Sequence, residues 1–423
     1  MKYDVIVAGG GWGGCAAALE AAVQGASVVL LERTDMLPGT GLAGGIMRNN
    51  GRFTAAEEMD ALGAGALFAL TDSISRHKNI DFPGHRHAWL YDVGKVSGVL
   101  ERTLAESGVH IVYGSRIIKA EMDKERLKAV ISAEGTRYEG KVFVDATGTA
   151  GPMGECARYG NGCAACVLRC PVFGGRVSLC SLAGVKEKAG RREDGGTGAM
   201  SGSCKLMKES LSAGIQKELE EAGAALVPVP DSLREDHLSA KACQQYALPE
   251  FARQLVLLDT GHAKLMAPWY PLRKLRCIPG MENARFEDPY AGGKGNSIRF
   301  LAMAPRENTL QVKERLNLFC AGEKAGPMVG HTEAIVTGTL AGFNAVRRLR
   351  GKSLLTLPGS LACGDIIACA GEALEQEQVV GKYTFSGSAY WERMQRMGLY
   401  TTSREEVGKR VEEARLTGIF AEK

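Results

Sequence analysis

The stretch YDVIVAGGGWGGCAAALEAAVQGASVVLLER, residues 3–33, decides the fold. An apolar strand from Tyr3 to Ala8 runs into a glycine-rich turn. Gly9, Gly11 and Gly14 fill the pattern G-x-G-x-x-G. An Ala-rich helix is predicted from about Gly13 to Gln24, closed by Gly25 just past its end. A second strand, Ser27 to Leu31, completes a βαβ unit at Glu32.

Each part has a physical reason. The first glycine allows the sharp turn, the second lets the backbone approach a diphosphate, and the third lets helix and strand pack closely. The helix N-terminus offers N–H groups and positive dipole potential to phosphate. Glu32, 18 positions after Gly14, stands where a carboxylate accepts from a ribose hydroxyl. A lone G-x-G-x-x-G is weak, but the full strand–turn–helix–strand–acid series is specific for a dinucleotide. Gly9, Gly11, Trp12, Gly13, Gly14, Glu32 and Arg33 are therefore the first candidate cofactor residues.

Two later segments choose between dinucleotides. Residues 109–149 read as short strands leading to KVFVDATG, similar to the three-stranded crossover and "ATG" segment of two-dinucleotide-fold flavoproteins. Thr147 and Gly148 join the candidate site. In LNLFCAGEKAGPMVGHTEAIVTGTLAGFNAVRRL (316–349), a strand from Leu316 to Ala321 ends at Gly322-Glu323, and a helix runs from about Thr332 to Leu349. This resembles the late FAD motif, where the strand end holds the ribityl chain and the helix N-terminus faces the flavin. Gly322, Glu323, Met328, Val329 and Glu333 follow as cofactor candidates, with Gly45 from the glycine-rich turn after the second strand. His331, at the helix start, is a candidate for proton transfer at the flavin edge. There is no second G-x-G-x-x-G, so NAD(P)H enters only as a candidate electron donor.

With these segments placed, the chain resembles the flavoproteins that modify tRNA uridines. One is the glucose-inhibited division protein A family; the other is the folate- and FAD-dependent tRNA uridine methyltransferase. The stretches that carry the likeness are GGGWGGCAAALEAAVQGA, GRFTAAEEMDALGAGAL (51–67), IPGMENARFEDP (278–289) and LFCAGEKAGPMVGHTEAIVTGTLAGFNAVRRLRGK (318–352). The resemblance implies FAD as cofactor and RNA as a possible partner. Both families place a catalytic cysteine shortly after the second strand, whereas here LPGTGLAGGIMRNNGRF (37–53) has none. His331 also stands where those families usually carry Tyr. The likeness is poor between about 150 and 275.

Composition bounds the rest. In 423 residues, Lys plus Arg number 52 and Asp plus Glu 48, a net charge of +4 that by itself singles out no nucleic-acid surface. The apolar N-terminal strand follows no signal-peptide pattern and no apolar run reaches membrane-spanning length, so a cytoplasmic location without a membrane partner is expected. The 12 cysteines are then expected to be mostly reduced.

Five of those cysteines, Cys156, Cys163, Cys166, Cys170 and Cys180, fall within GECARYGNGCAACVLRCPVFGGRVSLC. The spacing C-x2-C-x3-C-P matches the end of a bacterial ferredoxin ligand run, which makes Cys163, Cys166 and Cys170 candidate iron–sulfur ligands with Cys156 or Cys180 as a fourth. Zinc needs four ligands, and only one C-x2-C pair is present. Alternatively Cys163 and Cys166 form a redox dithiol, or all are free thiols beside the cofactor. Further on, His262, Trp269, Tyr270 and Arg273 are candidates to line a pocket facing the flavin, and Lys294 and Arg299 to bind an anion.

The fold expected is α/β: a Rossmann-like FAD-binding domain from residues 1–150 and 275–370, an inserted α+β, Cys-rich substrate domain at 151–274, and a helical tail at 371–423. The expected function is an FAD-dependent oxidoreductase acting on a small molecule, with thiol or iron–sulfur participation. The alternatives are a flavin-dependent tRNA uridine-modifying enzyme and a non-catalytic flavin-binding partner protein. A homo-oligomer is expected.

Overall fold

The computed structural model describes residues 1–149, 158, 169–192, 195–200, 202–236, 238–240, 244–267, 269–287 and 298–422. Cys156, Cys163, Cys166 and Lys294 lie outside the described residues.

Strand β1 (Lys2–Ala8), helix α1 (Trp12–Val23) and strand β2 (Val28–Leu31) form the expected βαβ unit. The two strands are parallel and buried, with Val5 opposite Val28 and Ala8 opposite Leu31. Strands β3 (Ile46–Arg48), β4 (Ser75–Phe82) and β5 (His85–Tyr91) make a separate antiparallel sheet, with helix α2 (Gly51–Ala61) between β3 and β4. Then come β6 (Val109–Val112), β7 (Ile117–Asp123), β8 (Arg126–Ser132) and β9 (Arg137–Asp145). β6 extends the main sheet beside β2, β9 lies parallel to β1, and β7 and β8 are the antiparallel crossover.

Strands β10 (Cys204–Leu206), β11 (Ala224–Pro228), β12 (Gln254–Asp259) and β13 (Ala263–Leu265) form a second antiparallel sheet in the order β10-β13-β12-β11. Its own core includes Leu219, Leu257, Ile278 and Met281. One face meets the β3–β5 sheet through Ile46, Leu90, Val256 and Leu258, so residues far apart in sequence share this layer. The helical pattern read over 205–224 is realised as a shorter helix, Ala213–Ala222. Ser212 caps it, its Oγ accepting from the Ile215 N–H at 3.4 Å, while the preceding residues pair as β10.

Strand β14 (Leu318–Cys320) returns to the main sheet, parallel to the C-terminal half of β9. Helix α3 (His331–Leu349) then lies against α1. The two helices touch at backbone distance, because a Cβ on Gly338 would lie 2.2 Å from the Gly13 carbonyl oxygen. Small residues at this crossing bring two helix N-termini to one place. Helices α4 (Ala362–Glu375), α5 (Ser388–Arg396) and α6 (Arg404–Glu413) complete the chain. Phe385 and Tyr390 are buried in the main core and Trp391 packs on it, with its ring edge-on to Tyr400. Among the described residues, no helix is long and apolar enough to cross a membrane.

Candidate functional site

The parallel register aligns Ala8, Leu31, Asp145 and Cys320 at the C-terminal ends of β1, β2, β9 and β14. In open α/β sheets the ligand crevice lies outside such strand ends. Here that edge opens into one elongated groove, whose lining runs from Ala8, Gly11 and Glu32 past Thr147 and Gly148 to Gly322, Glu323 and His331. An extended dinucleotide needs such a groove.

The floor is the glycine turn. Gly9 has φ +97°, and a Cβ there would lie 2.5 Å from the Ala146 carbonyl oxygen. The turn therefore requires glycine both for conformation and for space. Helix α1 starts at the cleft with Gly11 as N-cap and no side-chain cap, so its first N–H groups are left for a ligand. Glu32 is buried and aimed back at the turn. Its Oε2 accepts from the Gly10 N–H at 2.6 Å, and its Oε1 accepts from the Thr34 N–H and hydroxyl at 2.7 and 2.8 Å. This orients a carboxylate at the mouth, where a ribose would lie.

The late motif supplies the far end. Gly322 and Glu323 follow β14, and the N-terminus of α3 presents His331. Glu323 pairs with Arg299 and accepts from the Thr149 hydroxyl at 3.0 Å. His331 Nδ1 lies 3.2 Å from the Tyr91 hydroxyl, which donates to the Gly41 carbonyl at 2.6 Å. The ring rests on Gly44, where a Cβ would lie 1.6 Å from imidazole Cε1. Burial, then the nearby Arg52, Lys264 and Arg299 cations, hold the imidazole pKa well below its ordinary value, so the ring is neutral at physiological pH.

Of the sequence candidates, Gly9, Gly11, Trp12, Gly13, Glu32, Arg33, Thr147, Gly148, Gly322, Glu323, Val329 and His331 line this one cleft. Gly14, Gly45, Met328 and Glu333 do not. Gly14 instead packs against the Gly9 carbonyl, and Gly45 has φ +76° against Thr260. Met328 is buried. Glu333 is consumed by a buried network: it pairs with Arg52 at 3.1 Å and accepts from the Thr384 hydroxyl at 2.6 Å and the Phe385 N–H at 2.9 Å.

The pocket expected around His262 does not face the cleft. His262 pairs with Glu287, Tyr270 donates to the Leu233 carbonyl, and Arg273 is exposed. Arg299 does reach the cleft. Sequence reading missed Ser115, Arg116, Ile117, Tyr91, Arg169 and Arg176. Of these only Ser115–Ile117 had a signal, the start of the crossover strands; Arg169 and Arg176 lie among the cysteines of the insert, where the spacing points to thiols and not to guanidinium groups.

The cysteine candidates divide. Cys163 and Cys166 are outside the described residues. Cys170 is half-buried and begins a short turn beside the cleft wall. Cys180 is buried near Asp145 and Glu187, a set with metal-ligand character. The Lys324 ammonium already serves that set, bonding Glu187 at 2.7 Å and the Ser178 hydroxyl at 3.0 Å. Burial also pushes the Cys180 thiol well up, so it stays protonated.

Comparison with known proteins agrees with this geometry. Residues 4–154 match the family model described as FAD dependent oxidoreductase, and residues 263–353 match that of glucose inhibited division protein A. A methylenetetrahydrofolate–tRNA-(uracil-5-)-methyltransferase from Desulfotalea psychrophila is 32% identical over 126 residues, covering 29% of this chain and 28% of the relative. A tRNA uridine 5-carboxymethylaminomethyl modification enzyme from Alkaliphilus oremlandii is 24% identical over 427 aligned positions, covering 85% of this chain and 64% of the relative. The chain thus spans less than two thirds of either. The solved structure of GidA from Aquifex aeolicus superposes with a TM-score of 0.71 at 17% identity, covering 99% of this chain and 74% of that one. The chain is thus similar over residues 4–154 to FAD-dependent oxidoreductases, over residues 263–353 to glucose inhibited division protein A, and in its overall fold to GidA.

Proposed function

We propose that this chain binds FAD in the cleft and acts as an FAD-dependent oxidoreductase. One observation carries the reading: the N-termini of α1 and α3, Glu32, Thr147–Gly148 and Gly322–Glu323 converge on a single groove at the C-terminal ends of the parallel strands. When bound, FAD would supply the electron-accepting and electron-donating chemistry that side chains lack. The chain supplies the rest. The α1 N-terminus binds the diphosphate and Glu32 accepts from the adenosine ribose. The α3 N-terminus offers its positive dipole to negative charge at the ring. His331, neutral and wedged between Gly44 and Tyr91, donates or accepts a hydrogen bond there without bringing a charge. NAD(P)H is the candidate electron donor.

The relatives favour a second reading of the substrate, a uridine in tRNA. In this chain residues 37–53, just after the second strand, hold no cysteine; Gly41–Gly44 is a short helical turn whose Ala43 carbonyl accepts from the Lys264 ammonium at 2.6 Å. Any uridine chemistry here would therefore run without a nucleophile at that place.

The test is an absorbance spectrum of anaerobically purified protein with iron, zinc and sulfide assayed on the same sample, followed by titration with NADPH. Flavin bands that NADPH bleaches and air restores support the oxidoreductase. A flavin that no donor reduces supports a non-catalytic flavin-binding protein. Stoichiometric iron and sulfide would assign Cys163, Cys166 and Cys170 as ligands. Binding of unmodified tRNA that weakens steeply with salt, together with a modified uridine after turnover, would support the RNA substrate.

A further inference from the structure

The segment 169–177 belongs to the Cys-rich insert, yet Arg169, Arg176 and Val177 line the wall of the dinucleotide cleft. It is tied down on both sides. Arg33 donates to the Gly174 carbonyl at 2.5 Å and Arg116 to the Gly175 carbonyl at 2.9 Å, while Arg169 pairs with Asp35. The segment is therefore a strap along the cleft wall, held by Arg33 and Arg116 and by its own Arg169 on Asp35.

Arg176 differs from these three. Among the described residues it makes no hydrogen bond or ion pair. Its guanidinium sits against Gly148, where a Cβ would lie 2.6 Å from Nη1. Burial, only partly offset by Glu323, disfavours its charged form. A second cation on the same wall is incomplete: Arg299 spends Nη1 on Glu323 and keeps Nε buried without a partner. Holding a half-buried guanidinium without its counter-charge is unfavourable unless an anion arrives.

The position says which anion. Gly148 is two residues beyond Ala146, whose carbonyl contacts Gly9 beside the free N-terminus of α1. A dinucleotide diphosphate placed there carries two negative charges, and a helix N-terminus offers only about +0.5. Guanidinium binds phosphate oxygens in a fork that an ammonium does not match.

We propose that Arg176 is the counter-charge of the FAD diphosphate, carried by the insert, so that cofactor binding fixes the 169–177 strap. This rests on the FAD reading above and adds a residue outside the nucleotide-binding motif.

The test uses the full chain stripped of flavin. The wild type, Arg176→Gln and Arg176→Lys are titrated with FAD and with riboflavin, which lacks the diphosphate. FAD binding by R176Q is expected to weaken about 10- to 100-fold, the range of a hydrogen bond to a charged group. R176K should recover part of it, and riboflavin binding should be unchanged. Should R176Q not fold, trypsin cleavage after Arg176 in the wild type decides: FAD and ADP-ribose should slow it and riboflavin should not. Equal FAD affinity in wild type and R176Q overturns the proposal, as does protection by riboflavin equal to that by FAD. Unchanged FAD affinity with a raised KM for NADPH also overturns it, giving Arg176 to the electron donor. A wild type that binds no FAD at all is a different failure, that of the reading beneath.

Discussion

Gly44 and His331 show how one missing methyl group sets a site. Gly44→Ala would drive a Cβ into the imidazole, so the ring must leave its place beside Tyr91. Flavin reduction by NADPH in G44A is expected to slow about tenfold or more, as in His331→Ala, and the double variant should be no slower than H331A alone. Stopped-flow reduction rates check this non-additivity; additive losses would mean Gly44 acts elsewhere. The same histidine makes stability depend on pH. Its folded pKa lies below the unfolded 6.5, and that of buried His85 is pushed down to about 3, in both cases chiefly by burial. The unfolded chain therefore binds more protons at mildly acid pH. The contribution of each is whole above about pH 6.5 and is lost as pH falls, by about 1.4 kcal/mol per unit per histidine. Denaturant midpoints between pH 7 and 5 should drop in the wild type and drop less in a His85→Asn, His331→Asn variant.

At the scale of elements, charge buried between helices decides more than the helices' own propensities. Arg52 on α2 and Glu333 on α3 form one network with Thr384 and the Phe385 N–H, locking α2 and α3 to the C-terminal segment that precedes α5. Arg52→Gln leaves a buried carboxylate short of its cation and is expected to cost about 3–5 kcal/mol; a chemical-denaturation loss under about 1 kcal/mol would contradict it. This network also shows where sequence reading stops. The βαβ unit, the "ATG" strand and the strand–helix of the late motif were legible because each depends on local glycine, apolar period and cap chemistry. Glu333 sits inside that late motif and reads as a cofactor residue by position. Its partners, Arg52 and Thr384, lie 281 and 51 residues away, and no local pattern announces them. Arg176 escapes for the same reason, since it reaches the cleft through a strap whose anchors, Arg33 and Arg116, belong to another part of the chain. Helix α1 carries one acid, Glu20, which is buried, with Gln24 donating to it at 3.1 Å and bridging to the Phe420 carbonyl at 2.7 Å. Burial pushes the Glu20 carboxyl up to about 8. The unfavourable effect is absent below about pH 4.5 and grows as pH rises toward 8. Glu20→Gln should therefore stabilise the protein by about 3 kcal/mol at pH 7 and by nearly nothing at pH 4; a gain independent of pH would show that the carboxyl is not neutral in the fold.

For the whole molecule, the cleft is where parts distant in the chain meet. Its lining draws on β1, the start of α1, the end of β2, the crossover, the strap at 169–177, the end of β14 and the first turn of α3. No single element holds the others there. The floor depends on Gly9 against Ala146, and the wall on arginines reaching to strap carbonyls. A ligand that touches all of these adds contacts across the fold, and so its binding should stabilise the molecule as one unit. For a ligand that binds only the folded state, 100-fold excess over Kd adds about 2.7 kcal/mol. FAD in that excess is expected to raise the melting temperature of the flavin-free chain by several degrees in one transition. Riboflavin, which lacks the diphosphate and adenosine ends, reaches only the α3 side and should raise it little at the same concentration. ADP-ribose, which lacks the ring, should give most of the FAD effect, because the Gly9 turn, Glu32 and the strap all lie on its half of the cleft. Thermal unfolding followed by tryptophan fluorescence with each ligand in turn measures this. If riboflavin stabilises as well as FAD, the elements that hold the cleft together are those around His331, and the βαβ unit at the N-terminus contributes less to closure than its geometry indicates.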